Sequence, residues 1–317
     1  MATASSKKVV LAALFGNTAI AVTKLIAAAL TGSSAMLSEG VHSLVDTCNE
    51  LLLLYGMKRA ERPPDATQPF GYGREVYFWS FIVALLVFAL GAGISFYEGI
   101  THLQHPKPME RPLINYVVLG ISMLFEGISW WVAMKAFRAT KGGRGWFETF
   151  RASKDASTFT VLFEDTAALC GLAIAFAGVA LSHATGNPMY DGYASIGIGL
   201  VLALASFLLA RETKGLLLGE AAHPHVRDSI LRIADRDEGI RSANGVLTMQ
   251  LGPNSVLATL SAEFEDHLLI PQVEACVNRI EAAVRREHPD VVALFVKPQT
   301  AEVWRQRMTR LRGDSPP

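Results

Sequence analysis

The chain has little charge and few cysteines. Only 18% of its 317 residues are charged, and the formal net charge is zero. Because neither sign dominates, we expect no nucleic-acid partner. The three cysteines, Cys48, Cys170 and Cys276, have no CxxC spacing. They therefore indicate neither a disulfide framework nor a zinc ribbon.

An HExxH motif is also absent from the sequence, which argues against an intramembrane metallohydrolase. Apolar residues, in contrast, are abundant. Half of the residues are hydrophobic and the mean hydropathy is +0.28, values typical of a membrane protein. The seven residues before the first apolar run are too short for a cleaved signal or an organellar transit peptide. We therefore expect that run to be a retained span.

Six runs are long enough to cross a bilayer, since a membrane helix needs about 20 apolar residues. They cover residues 8–30, 35–56, 77–103, 114–137, 158–181 and 190–210. Basic residues gather before the first run, between the second and third, and between the fourth and fifth. The alternate loops "TGSS" and "SHATGNP" have none, and the loop 102–113 has only Lys107 and Arg111. This asymmetry predicts that both termini are cytoplasmic.

The pattern changes after residue 218. "GVLTMQLG" and "SVLATLSAEFED" are β-branched runs joined by "GPN", which predicts a hairpin. Amphipathic helical segments flank the hairpin, and "DVVALFVKP" predicts a last strand. We predict a membrane all-α six-helix transmembrane domain (1–218) and a cytosolic α+β ferredoxin-like domain (219–305) with the order α-β-β-α-β. Residues 306–317 are predicted to be a flexible tail.

The second apolar run carries an unusual polar stripe. Glu39, His42, Asp46 and Asn49 are separated by three, four and three residues, which places them on one helix face. Ionisable groups inside a span are costly, so they usually face the bundle interior and have partners. A stripe of carboxylate, imidazole and amide groups facing inward indicates a cation-binding surface.

The fifth run adds a second acidic pair, Glu164 and Asp165 in "VLFEDTAA". Adjacent helical residues point about 100° apart, so both cannot face the stripe equally. We favour Asp165 as the direct ligand. Glu164 is then expected to face a neighbouring helix or the access path. Glu126 in the fourth run is a candidate for a gate or for the ion pathway, as is Glu39.

The donor types constrain the ion. One imidazole with two or three carboxylates suits Zn²⁺ and tolerates Co²⁺, Fe²⁺ or Cd²⁺. An all-oxygen cage would favour Mg²⁺ or Mn²⁺, and His42 argues against it. Because a neutral imidazole binds either a proton or a metal near physiological pH, protons would compete with the metal for this site.

These motifs resemble the cation diffusion facilitator family over residues 8 to 300. "HSLVD", His42 to Asp46, matches the family's motif in the second span. In the fifth span "VLFED" keeps the aspartate, Asp165, but has Val161 where the family's histidine would lie. The pattern is most similar to the subfamily around zinc transporter 9. Glu164 or Asn49 is the candidate replacement for the missing ligand, with Glu39 as a third choice.

The resemblance implies a dimeric, proton-coupled Zn²⁺ exporter that works by alternating access, with the ion bound between spans two and five. Its partners would be metal ions, protons, the lipid bilayer and a second copy of the chain, in a bacterial inner membrane. Zn²⁺ would be the transported substrate, with no prosthetic group and no enzymatic activity. The alternatives are an Mn²⁺, Fe²⁺ or Co²⁺ exporter of the same family, or a non-transporting partner subunit.

The resemblance also implies a charge interlock at the end of the membrane domain, for which Arg74 and Glu220 are the candidates. Accessory metal sites of the family are reduced in this sequence. The loop after span two keeps Asp65 but has Gln68 and Tyr72 at histidine positions. Ser261 replaces another in the C-terminal domain. We therefore predict little or no metal binding by that domain.

Overall fold

A computed structural model describes residues 4–106, 112–140 and 156–312. The chain forms two compact units. One consists of Met1–Arg62 and Arg74–Leu217, and the other of Pro63–Gly73 and Leu218–Pro317. The second unit thus begins within one residue of the predicted boundary, but it also includes a loop from between the second and third helical passes.

The first unit is built from six long helical passes among the described residues. They are α1 (Ala4–Thr31), α2 (Ser34–Ala60), a third pass formed by α3 (Glu75–Leu86), a π-helical turn (Val87–Ala92) and α4 (Gly93–Gln104), then α5 (Pro112–Thr140), α6 (Ala156–Thr185) and α7 (Met189–Leu218). By length and composition, five of the six passes could cross a membrane. Helix α2 is not among them, because its polar stripe interrupts the apolar surface. The predicted helical membrane domain is confirmed.

Helix α2 lies at the centre of this unit. It packs against α1, against the third pass and against α6, while α5 packs on α1 and α6. One apolar cluster surrounds Leu53 and Met57 at the C-terminal half of α2. A second surrounds Met36 and Val45 at the N-terminal half. The polar stripe is therefore held on a helix that is anchored by buried apolar contacts at both ends.

A tight turn fixes the start of α2. Gly32 has a φ of 68°, which suits glycine, and Ser33 caps the helix by accepting a hydrogen bond from the Met36 backbone N–H at 3.1 Å. Asp191, at the start of α7, accepts hydrogen bonds from the Ser33 hydroxyl at 2.8 Å and the Ser34 backbone N–H at 2.6 Å. The first turn of α2 is thereby fixed to α7.

The second unit has the predicted α-β-β-α-β order. Its elements are α8 (Pro224–Asp235), β1 (Ile240–Gly252), β2 (Ser255–Phe264), α9 (Ile270–Glu287), β3 (Val291–Pro298) and α10 (Ala301–Arg312). The sheet order is β1-β2-β3, with β1 antiparallel and β3 parallel to the central β2. Ile230, Leu260, Ile280 and Val284 are buried in a core of strand and helix side chains. The small α+β domain and its hairpin are confirmed.

The C-terminal helix α10 extends further than the sequence suggested. A flexible tail was predicted from residue 306, but α10 continues to Arg312; residues 313–317 lie outside the described residues. The reason is tertiary, because Trp304 packs over Gly245 of β1, where a Cβ would overlap the indole ring. The Ala301 backbone N–H also donates to Glu263 at 3.0 Å.

The loop 63–73 is ordered by its own hydrogen bonds and by contacts within the second unit. Oδ1 of Asp65 accepts from two backbone N–H groups of the loop, and Oδ2 accepts from the Tyr72 hydroxyl at 2.7 Å. Phe70 meets Phe295 of β3 edge to face, with ring centroids 6.4 Å apart. Asp65, the residue retained from the family's accessory site, therefore organises this loop.

Candidate metal-binding site

The centre of the candidate site is a buried pair on α2. His42 and Asp46 lie one turn apart, and Nδ1 of His42 is 3.3 Å from Oδ2 of Asp46. The two side chains are 1% and 3% exposed. Neither ring nitrogen of His42 nor Oδ1 of Asp46 has a hydrogen-bond partner within the described part of the chain. Buried polar atoms are normally paired, so these lone pairs are suited to a ligand such as a metal ion.

Helix α6 places its two carboxylates in different directions. Oε1 of Glu164 accepts a hydrogen bond from the side-chain amide of Asn49 on α2, at 2.8 Å. Oδ2 of Asp165 accepts one from the Ser129 hydroxyl on α5, at 2.9 Å. Glu164, rather than Asp165, is therefore the α6 carboxylate that hydrogen-bonds to the α2 stripe. The preference for Asp165 as the direct ligand stays a prediction, and the side-chain partners on α2 and α5 could not be inferred from helical spacing.

Two further buried carboxylates border the pair. Glu50 accepts a hydrogen bond from the side-chain amide of Asn17 on α1 at 2.6 Å. Glu126 on α5 is 1% exposed. The charges of Glu164, Glu126 and Glu50 all act on Asp46. The region is thus strongly acidic, which favours a cation over a neutral solute.

A buried lysine on α1 was missed by the sequence analysis. Lys24 is fully buried, and its Nζ lies 3.0 Å from Oε2 of Glu39 and 2.9 Å from the Ser43 hydroxyl. Oε1 of Glu39 faces α6 at Gly171, where a Cβ would overlap that oxygen. The available signal was a single ionisable residue within the first apolar run, "AVTKLIAAAL".

The site is not a closed coordination cage. Over residues 4–106, 112–140 and 156–312, no three His, Cys, Asp or Glu side chains are arranged to hold a metal ion. Zinc usually takes four ligands, at least three of them from the protein at catalytic sites and four at structural sites. The described conformation provides a two-residue centre, His42 and Asp46, with Glu164 on the facing helix.

Comparison with known proteins identifies the family. Residues 10–218 match the model of the cation efflux transmembrane domain. The chain belongs to the cation efflux family. The resemblance to cation diffusion facilitators, another name for this family, is confirmed, and the chain is assigned to a family of transporters rather than of enzymes.

Cation efflux relatives differ in how much of their length the chain covers. This chain is 34% identical over 264 residues to the mitochondrial "Proton-coupled zinc antiporter SLC30A9" of Mus musculus. The match covers 83% of this chain but 47% of that protein. "Metal tolerance protein C4" of Arabidopsis thaliana is 31% identical, covering 76% of this chain and 53% of that protein. The chain thus spans about half the length of these relatives. "Cation-efflux pump FieF" of Cronobacter sakazakii is 27% identical, with 88% of both chains covered.

The interlock expected of a cation efflux protein stays a prediction. Arg74 immediately precedes α3 in the first unit. Glu220 lies in the second unit, where its backbone oxygen accepts a hydrogen bond from the Gln250 N–H at 2.8 Å. In the same unit Ser261, where the resemblance implied a histidine, is buried and its hydroxyl donates a hydrogen bond to Oε1 of Gln299 at 3.2 Å. Ser261 thus takes part in a polar side-chain network.

Proposed function

We propose that the chain is a proton-coupled efflux transporter for a divalent metal ion, with Zn²⁺ as the favoured substrate. The observation that carries the proposal is the buried His42–Asp46 pair on α2, in which neither ring nitrogen of His42 has a hydrogen-bond partner among the described residues. One imidazole among carboxylates suits Zn²⁺ better than an all-oxygen site does. The relatives named as proton-coupled zinc antiporters support the same substrate.

The third ligand is proposed to come from α6. Glu164 is joined to the α2 stripe through Asn49, so a small movement of α6 relative to α2 would bring its carboxylate to the metal. Asp165 and Asn49 are the remaining candidate ligands. Glu126 would line the pathway, and Glu39 would belong to a gate. A site completed from two helices couples ion binding to their separation, which is what alternating access requires.

Proton coupling follows from shared lone pairs. When the metal leaves, His42 and the buried carboxylates must satisfy their lone pairs in another way, and protons can do so. The carboxylates Glu50, Glu126 and Glu164 lie around Asp46 and repel one another when they are ionised. Release of Zn²⁺ is therefore expected to be accompanied by proton uptake, in the direction of metal export from the cytoplasm.

The membrane arrangement is also part of the proposal. Lys58 and Arg59 lie in the last turn of α2, and basic residues near span ends favour the cytoplasmic side. We propose that both termini are cytoplasmic, that the second unit forms a homodimer, and that the protein resides in a bacterial inner membrane. The match to the cation-efflux pump FieF of the bacterium Cronobacter sakazakii, over 88% of both chains, supports a bacterial setting.

The test is transport by the purified protein in liposomes that hold a zinc-sensitive and a pH-sensitive dye. Wild type is expected to move Zn²⁺ with counter-flow of protons, while His42→Ala and Asp46→Ala lose at least 90% of both fluxes. His267→Ala, at an exposed position in the second unit, is the matched control. Wild-type flux in both site variants would refute the proposal.

The same assay decides between the alternatives. A preference for Mn²⁺, Fe²⁺ or Co²⁺ in competition would identify a different exporter of this family. His42→Asp should shift the preference toward Mn²⁺, because it replaces the only imidazole with oxygen donors. The absence of both fluxes in wild type that binds Zn²⁺ would favour the non-transporting partner subunit.

A further inference from the structure

Lys24 occupies a cation position next to the candidate metal site. Its ammonium is completely buried and contacts a carboxylate oxygen of Glu39 and the hydroxyl of Ser43. Carboxylate and hydroxyl oxygens are donors that also bind hard metal cations. Lysine carries a compact positive charge on a flexible stem. At Glu39 and Ser43 on α2, a cation is therefore already supplied by the protein itself.

The ion pair lies immediately beside the His42–Asp46 pair. Glu39 is one turn before His42 on the same helix face, and Ser43 directly follows His42 in sequence. The positive charge of Lys24 acts on His42, on Asp46 and on Glu126. A metal ion bound at His42 and Asp46 would therefore be repelled by this charge, and the buried location leaves little solvent to screen it.

The other oxygen of Glu39 is confined by α6. Oε1 of Glu39 faces Gly171, which has no space for a Cβ. One carboxylate thus joins α1, through Lys24, to the surface of α6. Oε2 of Glu39 is thus held by Lys24, while Oε1, which has no hydrogen-bond partner among the described residues, lies against Gly171 of α6.

We propose that Lys24 is a built-in counter-cation that withholds Glu39 from the metal and weakens metal binding enough to permit release. The inference rests on the proposed function and explains which acidic group on α2 is not a ligand. A transporter must release its ion on every cycle, so an acidic site of this size benefits from a fixed opposing charge. Lys24 acts through Glu39 and through its field, as a positioning residue.

The test measures Zn²⁺ binding by competition with a chromophoric chelator, and transport by the liposome assay, on the full-length protein. Lys24→Met is expected to lower the Kd at least tenfold, because repulsion is removed and Glu39 becomes available. The maximal transport rate should fall together with KM, because release slows. Lys24→Arg, which keeps the charge, should bind closer to wild type than Lys24→Met does. Lys58→Met, at an exposed position, is the matched control.

Charge balance supplies a second comparison. Glu39→Gln keeps the lysine charge without its counter-ion and should weaken Zn²⁺ binding. The double variant Lys24→Met/Glu39→Gln removes both charges, so it should bind Zn²⁺ at least tenfold more tightly than Glu39→Gln does. If Lys24→Met alone is not recovered as folded protein, the comparison of Glu39→Gln with the double variant tests the proposal. If the role of Lys24 were purely structural, Lys24→Met would lower the thermal stability without raising the affinity for Zn²⁺.

An unchanged or weaker Zn²⁺ affinity in Lys24→Met, or equal affinities in Glu39→Gln and the double variant, would overturn the inference. The His42→Ala variant separates this failure from that of the proposed function. If His42→Ala loses Zn²⁺ binding, the site stands and only the role of Lys24 is refuted. If His42→Ala binds as wild type does, the proposed site itself is wrong.

Discussion

Removing Asp191 should destabilise the helix that carries the metal site. Asp191 is 1% exposed and accepts hydrogen bonds from the hydroxyls of Ser33 and Ser34 and from the backbone N–H groups of Ser34 and Ala35, at 2.6–3.3 Å. These N–H groups belong to the first turn of α2, which has no intrahelical acceptors for them. We therefore predict a large effect for Asp191→Ala and a smaller one for Asp191→Asn.

The magnitude follows from the lost partners. Each backbone N–H left unsatisfied in a buried site costs about 1–3 kcal/mol. Loss of a carboxylate at a helix N-terminus adds roughly 0.3–2 kcal/mol. For two N–H groups and the lost carboxylate together, the free energy of unfolding should fall by about 2–8 kcal/mol in Asp191→Ala. Asp191→Asn retains an oxygen acceptor and should lose about 1–2 kcal/mol, the charge-dependent part.

The assay is denaturant unfolding of the full chain in detergent, combined with hydrogen exchange of the peptide covering residues 33–38. Asp191→Ala should speed exchange in that peptide and weaken Zn²⁺ binding, because His42 lies about two turns further along α2. Asp228→Ala, an exposed aspartate of the second unit, is the control. A loss below about 1 kcal/mol with unchanged exchange would refute the capping role, since one net hydrogen bond alone accounts for that much.

Two further predictions concern the α2–α6 contact and the second unit. Gly171→Ala should destabilise the protein by about 1–3 kcal/mol, since its methyl group would displace Glu39. Gly120→Ala, which meets nothing within 4 Å, is the control, and equal Tm values for the two variants would contradict the close contact. In the second unit, paired hydrogen bonds from Arg279, at 2.7 and 2.8 Å, lower the pKa of Asp237 to about 2. Because this pKa is depressed on folding, the stabilisation is present above about pH 4 and is lost as the pH falls toward 2. Asp237→Asn should lower the free energy of unfolding by about 1 kcal/mol above pH 4, a value reduced because Arg279 is exposed. Hydrogen exchange at pH 5 and pH 2 measures this stability. A stability difference between the variant and wild type that persisted at pH 2 would argue against the ion pair.

Local periodicity accounts for most of what could be read from the sequence. The polar stripe of α2 follows from three- and four-residue spacing, and the α-β-β-α-β order follows from alternation and turn residues. Residues such as His42 and Asp46 could be paired because they lie on one helix, where the geometry is fixed by the backbone. The pairing of side chains on different helices depends on rotation and packing, which spacing does not specify.

The orientation of the α6 carboxylates shows this limit. Sequence placed Glu164 and Asp165 in the region of the site but favoured Asp165, whereas Glu164 hydrogen-bonds to Asn49, 115 residues away in the chain. Lys24 was overlooked because a single lysine in an apolar run has no partner at helical spacing. Its partner Glu39 lies on the next helix, across a tight turn.

By itself, the sequence determined the helical passes, the small α+β domain, the acidic and imidazole composition of the site, and membership of a metal-transporter family. Those features depend on composition and on contacts between near neighbours in the chain. Only the tertiary structure decided that Lys24 neutralises Glu39, that Asp191 caps α2 and that Trp304 orders α10. Each of these contacts joins separate elements, and burial makes such pairings strong because a buried charge or donor without a partner costs several kcal/mol, about 3–5 for a broken ion pair.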